Sequence, residues 1–165
     1  MEHQHKSGHA QGHESRQTHD HYPRLYLMAV LSFIAMFVLM YAMVDRFANV
    51  FVNLNQVYMA GLMAAPMVVI EIALMSMMYP NKRRNVVIVA ISVVAGVVFW
   101  ILIRQQAAIS NSQFLRSMIP HHAGAVLMCG KLKADDPEIK DLCAGIIKSQ
   151  EAEIAQMRRK LDQLD

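Results

Sequence analysis

The chain has 165 residues, 55% hydrophobic and 18% charged, and its 16 Lys/Arg against 13 Asp/Glu leave a formal charge of +3. A mean hydropathy of +0.25 is high for a water-soluble domain. So small a charge gives little hold on nucleic acid, and two cysteines exclude a disulfide framework. Most apolar residues fall between Leu25 and Ile103, which implies an integral membrane protein carrying a small polar domain.

Residues 1–24 form a histidine-rich tail. From His3 to His21 no apolar side chain is larger than Ala, so the segment cannot build a core and is expected to be disordered. His3, His5, His9, His13, His19 and His21 could wrap a copper, nickel or zinc ion. If Met1 is retained, His3 stands third from a free amine, which completes a square-planar set with two backbone nitrogens. A solvated polar tail is the plain alternative.

Residues 25–104 read as a membrane domain with spans at about 25–44, 57–79 and 86–103, each long enough to cross ~30 Å of hydrocarbon as a helix. The tail and the second loop carry Lys6, Arg16, Arg24, Lys82, Arg83 and Arg84; the opposite side has Arg46, Arg104 and Arg116. That bias places the N-terminus in the cytoplasm and the C-terminal domain outside. The expected location is therefore the plasma membrane, as a multi-pass protein with the lipid bilayer as partner.

Ten of the 14 methionines lie in the first two spans. Met59, Met63 and Met67 recur every four residues, and Glu71 and Met75 continue the row. Thioethers suit Cu(I), yet Met is also an ordinary gap-filler between helices. Glu71 near mid-membrane costs on the order of 2.5–3.5 kcal/mol and must be protonated, paired or turned inward. Pro66 frees the carbonyl of Leu62 beside it. Met63, Met67, Glu71 and Met75 are thus either an intramembrane ion site or part of an interhelical cluster.

Residues 105–165 read as a helical hairpin. Ser110 and Gln113 form a capping box, and a helix follows to about Leu132, with a kink expected at Pro120. Asp136 and Pro137 start a second helix with one apolar stripe. Phe114, Met118, His121, His122, Ala125, Met128 and Cys129 share a broad face at ~100° per residue. A turn near residue 136 sets His122 opposite Gln150 and Cys129 opposite Cys143. Met118, His121, His122, Met128, Gln150, Glu153 and Met157 are the candidate metal ligands, copper fitting imidazole plus thioether best, with zinc and silver as alternatives. Core histidines satisfied by Gln150 and Glu153 are the competing explanation. Cys129 and Cys143 are either a disulfide or further ligands.

The stretch SQFLRSMIPHHAGAVLM, followed by Ile146, Ile147, Gln150, Glu153, Ile154 and Met157, resembles the signature of the bacterial domain-of-unknown-function family 305 over residues 110–164. The resemblance implies a ferritin-like helical bundle with copper-binding relatives in the cell envelope linked to metal tolerance, and it brings no catalytic activity. Carried over by position, it points to the same seven residues. Many members have an aromatic after the last motif Met, where this chain has Lys160, and longer members close a four-helix bundle from two hairpins. One hairpin leaves an apolar face half covered, so an all-α fold completed by a homo-oligomer is expected. The membrane part resembles the anchor of a membrane-bound subgroup.

Three functions follow as expectations: a membrane-anchored copper-binding homeostasis or tolerance protein, a copper permease, and an oligomerising membrane adaptor without metal. Three spans with spaced Met residues resemble the eukaryotic copper-uptake trimers. The third span lacks their GxxxG, since Ser92 and Trp100 flank Gly96. An enzyme is not expected, because there is no Glu-x-x-His, nucleophile elbow or phosphate loop.

Overall fold

The computed structural model describes residues 21–164, and no strand occurs among them. Helix α1 spans Tyr22–Leu39 and continues as a 3-10 turn over Met40–Met43; α2 spans Leu54–Leu74 and α3 Lys82–Gln105. With that turn included, these three segments have 22, 21 and 24 residues and are apolar enough to cross a membrane. α4 (Asn111–Lys131) and α5 (Pro137–Leu161) form the hairpin.

Each helix start has a local cause. Orphan N–H groups at a first turn need acceptors, and Asn53, Asn81, Ser110 and Asp136 supply them to α2, α3, α4 and α5. The capping box at α4 is half made. Ser110 accepts from the Gln113 N–H, but the Gln113 side chain reaches across to accept from Leu54 N at 2.9 Å, serving α2 instead. Between α3 and α4 the chain reverses through Gln106 (φ 49°) and Ala108 (φ 58°). Such left-handed geometry costs an L residue about 1 kcal/mol or more. The reversal sets the start of α4 against the first turn of α2.

Helix α2 packs against both α1 and α3. Its small buried residues Ala60, Gly61 and Ala64 let the neighbours approach. A Cβ on Gly61 would lie 2.5 Å from carbons of the Phe99 ring, so only glycine fits there without movement. Away from the hairpin the bundle closes on Tyr22, Leu25, Val68, Ile72, Tyr79 and Ile88. Here α2 stops at Leu74, short of the expected 79. Pro80 disfavours helix at the residue before it, and Tyr79 folds in against Tyr22, with ring centroids 5.3 Å apart. Glu71 therefore stands one turn from the end of α2.

The hairpin core is Ile119, Ala123, Ile154 and Leu161. Val44 and Phe51 of the α1–α2 loop pack onto it, so this chain itself covers part of the face expected to await a second copy. Polar contacts fasten the loop. Arg158 donates to the Ala48 carbonyl and to Asn49 Oδ1, and Arg46 meets Glu151 at 3.3 Å. Pro120 lies inside α4, which continues as one helix on both sides of it. Proline cannot donate to the carbonyl four residues back, and the Asn53 amide takes up that Arg116 oxygen at 3.4 Å.

Candidate metal centre

Adjacent residues on a helix point about 100° apart, so His121 and His122 meet different neighbours although their ring centroids are 6.0 Å apart. His122 is 8% exposed and faces α5. Its Nε2 lies 2.8 Å from Glu153 Oε2 and its Nδ1 2.9 Å from the Met118 carbonyl. Both partners are acceptors in the ionised state of Glu153. Both ring nitrogens of His122 are thus engaged within the hairpin.

His121 is exposed and opens onto a cleft of about 450 Å³ between α4 and the near ends of α1 and α2. Met40 and Met43 from the end of α1, Met59 from the first turns of α2, and Met128 from α4 line the same cleft. Ser117, His121, Gly124 and Met128 recur at three- or four-residue spacing, which presents one face of α4 to it. Gly124 seats this face on the backbone of Met43, its Cβ position 3.5 Å from that carbonyl.

The seven ligands proposed from sequence thus divide. His122 and Glu153 pair within the hairpin, with Met118 contributing its carbonyl. His121 and Met128 turn to the cleft. Met157 packs against the Ile119 cluster, and Gln150 is half-buried on α5. Among the described residues no group of three His, Cys, Asp or Glu is placed to hold a metal ion.

Cys129 and Cys143 meet across the hairpin as free thiols with sulfurs 2.7 Å apart. The thiol hydrogen bond to Cys143, then burial, hold the Cys129 thiol above its ordinary pKa. In the apolar helices, Glu71 accepts from the Tyr79 hydroxyl at 3.3 Å. Met63, Met67 and Met75 are exposed. His21 precedes the first turn of α1; His3, His5, His9, His13 and His19 lie outside the described residues.

Sequence reasoning did not place Met40, Met43 and Met59 with His121. One signal was available. Met40 and Met43 end the first span and Met59 begins the second, so all three flank one short loop at one end of the bundle.

The profile of a family described as a domain of unknown function, DUF305, matches residues 102–161, the end of α3 and the hairpin. An uncharacterised protein of Acanthamoeba polyphaga mimivirus is 34% identical over 140 residues, which is 83% of this chain and 90% of that protein. The likeness therefore extends well beyond the hairpin into the three apolar helices. No solved structure matches.

Proposed function

This chain belongs to the DUF305 family, and we propose that it is a membrane-anchored metal-binding protein that holds copper in the cell envelope, as a buffer or tolerance factor. The observation that carries this is the free position of His121. Its neighbour His122 is tied to Glu153 and Met118, whereas His121 faces an open cleft that four thioethers also line, beside the amides of Asn53, Asn55 and Gln56 and the Ser117 hydroxyl. Imidazole with thioether is a donor set suited to copper, and silver shares that preference. The Lys/Arg bias argues for a hairpin on the extracytoplasmic side. A membrane-impermeant maleimide labelling Leu164→Cys in intact cells, with Cys129 and Cys143 replaced by Ser, supports that side; labelling only after lysis reverses it.

Partners follow from the surfaces: lipid around α1–α3, the ion in the cleft, and a second copy against the exposed Leu132, Ile139 and Leu142 of the hairpin. Copper per chain, measured by elemental analysis on the full protein in detergent, tests the proposal. His121→Ala is expected to lose one copper per chain. Equal copper in the variant and the parent removes the proposal.

A second reading, copper passage through the membrane, draws on Met59: it lines the cleft and begins the row Met63 and Met67 along α2. Copper flux into proteoliposomes that disappears in Met63→Leu/Met67→Leu would favour passage over holding. Flux absent from the parent protein would end it.

A further inference from the structure

We infer that the cleft is a soft monovalent-cation site shared between the two parts of the chain, with Met40, Met43 and Met59 of the membrane helices completing a ligand set begun by His121 and Met128 of α4. The inference rests on the metal-binding reading above and deepens it: it names the ion class and adds three ligands that lie outside the hairpin.

The chemistry of the lining decides the class of ion. The cleft is lined by one imidazole, four thioethers, the amides of Asn53, Asn55 and Gln56 and the Ser117 hydroxyl, and no Asp, Glu or Cys lines it among the described residues. The Asn53 and Asn55 amides already donate to the Phe51 carbonyl and the Ser117 hydroxyl. A neutral donor set leaves the charge of a bound cation uncompensated. In a site beside lipid, the penalty for uncompensated charge rises steeply with that charge. Thioethers are also soft donors, which select Cu(I) over harder ions. Ag(I) shares its charge and its softness. Zinc and Cu(II) lack the carboxylates, thiolates or multiple imidazoles that they favour.

The geometry decides what binding does. Met40 and Met43 hang from the last turn of the first membrane segment, Met59 from the start of α2, and His121 and Met128 from the hairpin. Met43, Met59 and Met128 are 52%, 39% and 54% exposed, so their unbranched side chains have room to rotate toward an ion. A cation bound by both sets ties α4 to the bundle at a place where the present contacts are van der Waals approach at Gly124 and hydrogen bonds farther along α4. The hairpin is then held on the membrane domain most firmly when the metal is loaded.

The test uses the full chain in detergent, with carbon-13 in the methionine methyl groups, titrated with Ag(I) and followed by NMR. The tail contributes histidines but only Met1, so the methyl signals report the cleft without interference. Met40, Met43, Met59 and Met128 are expected to shift together to an endpoint at one ion, while Met63, Met67 and Met75 stay. Met40→Leu/Met43→Leu/Met59→Leu, which conserves side-chain volume, is expected to weaken Ag(I) on the order of tenfold or more. Shifts confined to Met118, Met128 and Met157, with unchanged affinity in the triple variant, overturn the shared site and leave metal binding by the hairpin standing. No methyl shift and no retained silver or copper overturn both.

Discussion

His122 is nearly enclosed, bonded at both nitrogens, and set beside a carboxylate that itself reaches solvent. Replacing such a side chain removes a bond to a charged group and opens a void, each a recognised route to destabilisation. His122→Ala is therefore expected to cost about 1–3 kcal/mol, read as a lower midpoint of thermal unfolding in detergent. His121→Ala, on an exposed face, is expected to stay within about 0.5 kcal/mol. Equal losses from the two variants would contradict the division of roles. Cys129 offers a second check. A thiol whose pKa is raised in the folded protein has less thiolate below that value. Its hydrogen bond to Cys143 contributes stability below the ordinary thiol range, and that contribution is lost as pH climbs through the raised value. Removing the partner in Cys143→Ala should accelerate iodoacetamide alkylation of Cys129 in the reduced protein at pH 8; an unchanged rate would argue against the contact. The meeting of Cys129 and Cys143 was legible from the turn position alone. The partner of His122 was legible in part: the turn set Gln150 opposite and the core-histidine explanation named Glu153 with it, and where Ile119 packs with Ile154 it is Glu153 that His122 meets.

The α1–α2 loop behaves as part of the hairpin's core, because Val44 and Phe51 are partly buried against it and Arg158 grips its backbone. Arg158→Ala removes two charge-assisted bonds, each worth roughly 1.5–3 kcal/mol in such settings. The expected result is faster proteolysis within residues 44–53 while the helical signal of α1–α3 is kept; an unchanged cleavage rate would show the loop held by its apolar residues alone. Between α2 and α3 the limiting feature is Gly61 under the Phe99 ring. Gly61→Val overpacks that contact and is expected to cost about 1–3 kcal/mol, with partial recovery in Gly61→Val/Phe99→Ala. A fully stable single variant would mean that the helices part easily. Apolar run length and the Ser110 and Asp136 caps made the five helices readable, whereas the Asn53 and Asn81 caps emerge only in the fold. The loop docking was not readable, because the 12-residue segment Asp45–Gln56 mixes apolar and polar residues with no period that tells which surface it will cover. Pro120 signalled a kink, but nothing local identified Asn53, distant in sequence, as the group that takes up the Arg116 carbonyl.

The assembled chain sets an amphipathic hairpin over one end of an apolar three-helix bundle whose helices are long enough to cross a membrane, and the cleft exists only because the two are joined. Its donors come from three helices whose sequences carry no common motif, so the motif histidines were readable while their sulfur partners were not. Beyond the cleft, most of the surface of α1–α3 faces outward, as helices surrounded by lipid should. The chemistry proposed for the molecule reduces to the identity of the atoms around a bound copper ion. X-ray absorption at the copper edge, on the full chain loaded with one equivalent of Cu(I), reads those atoms directly. A first shell dominated by sulfur with a single imidazole, and loss of that imidazole in His121→Ala, is the expected spectrum. A shell of nitrogen and oxygen alone, unchanged in His121→Ala, would place the copper elsewhere and contradict the site.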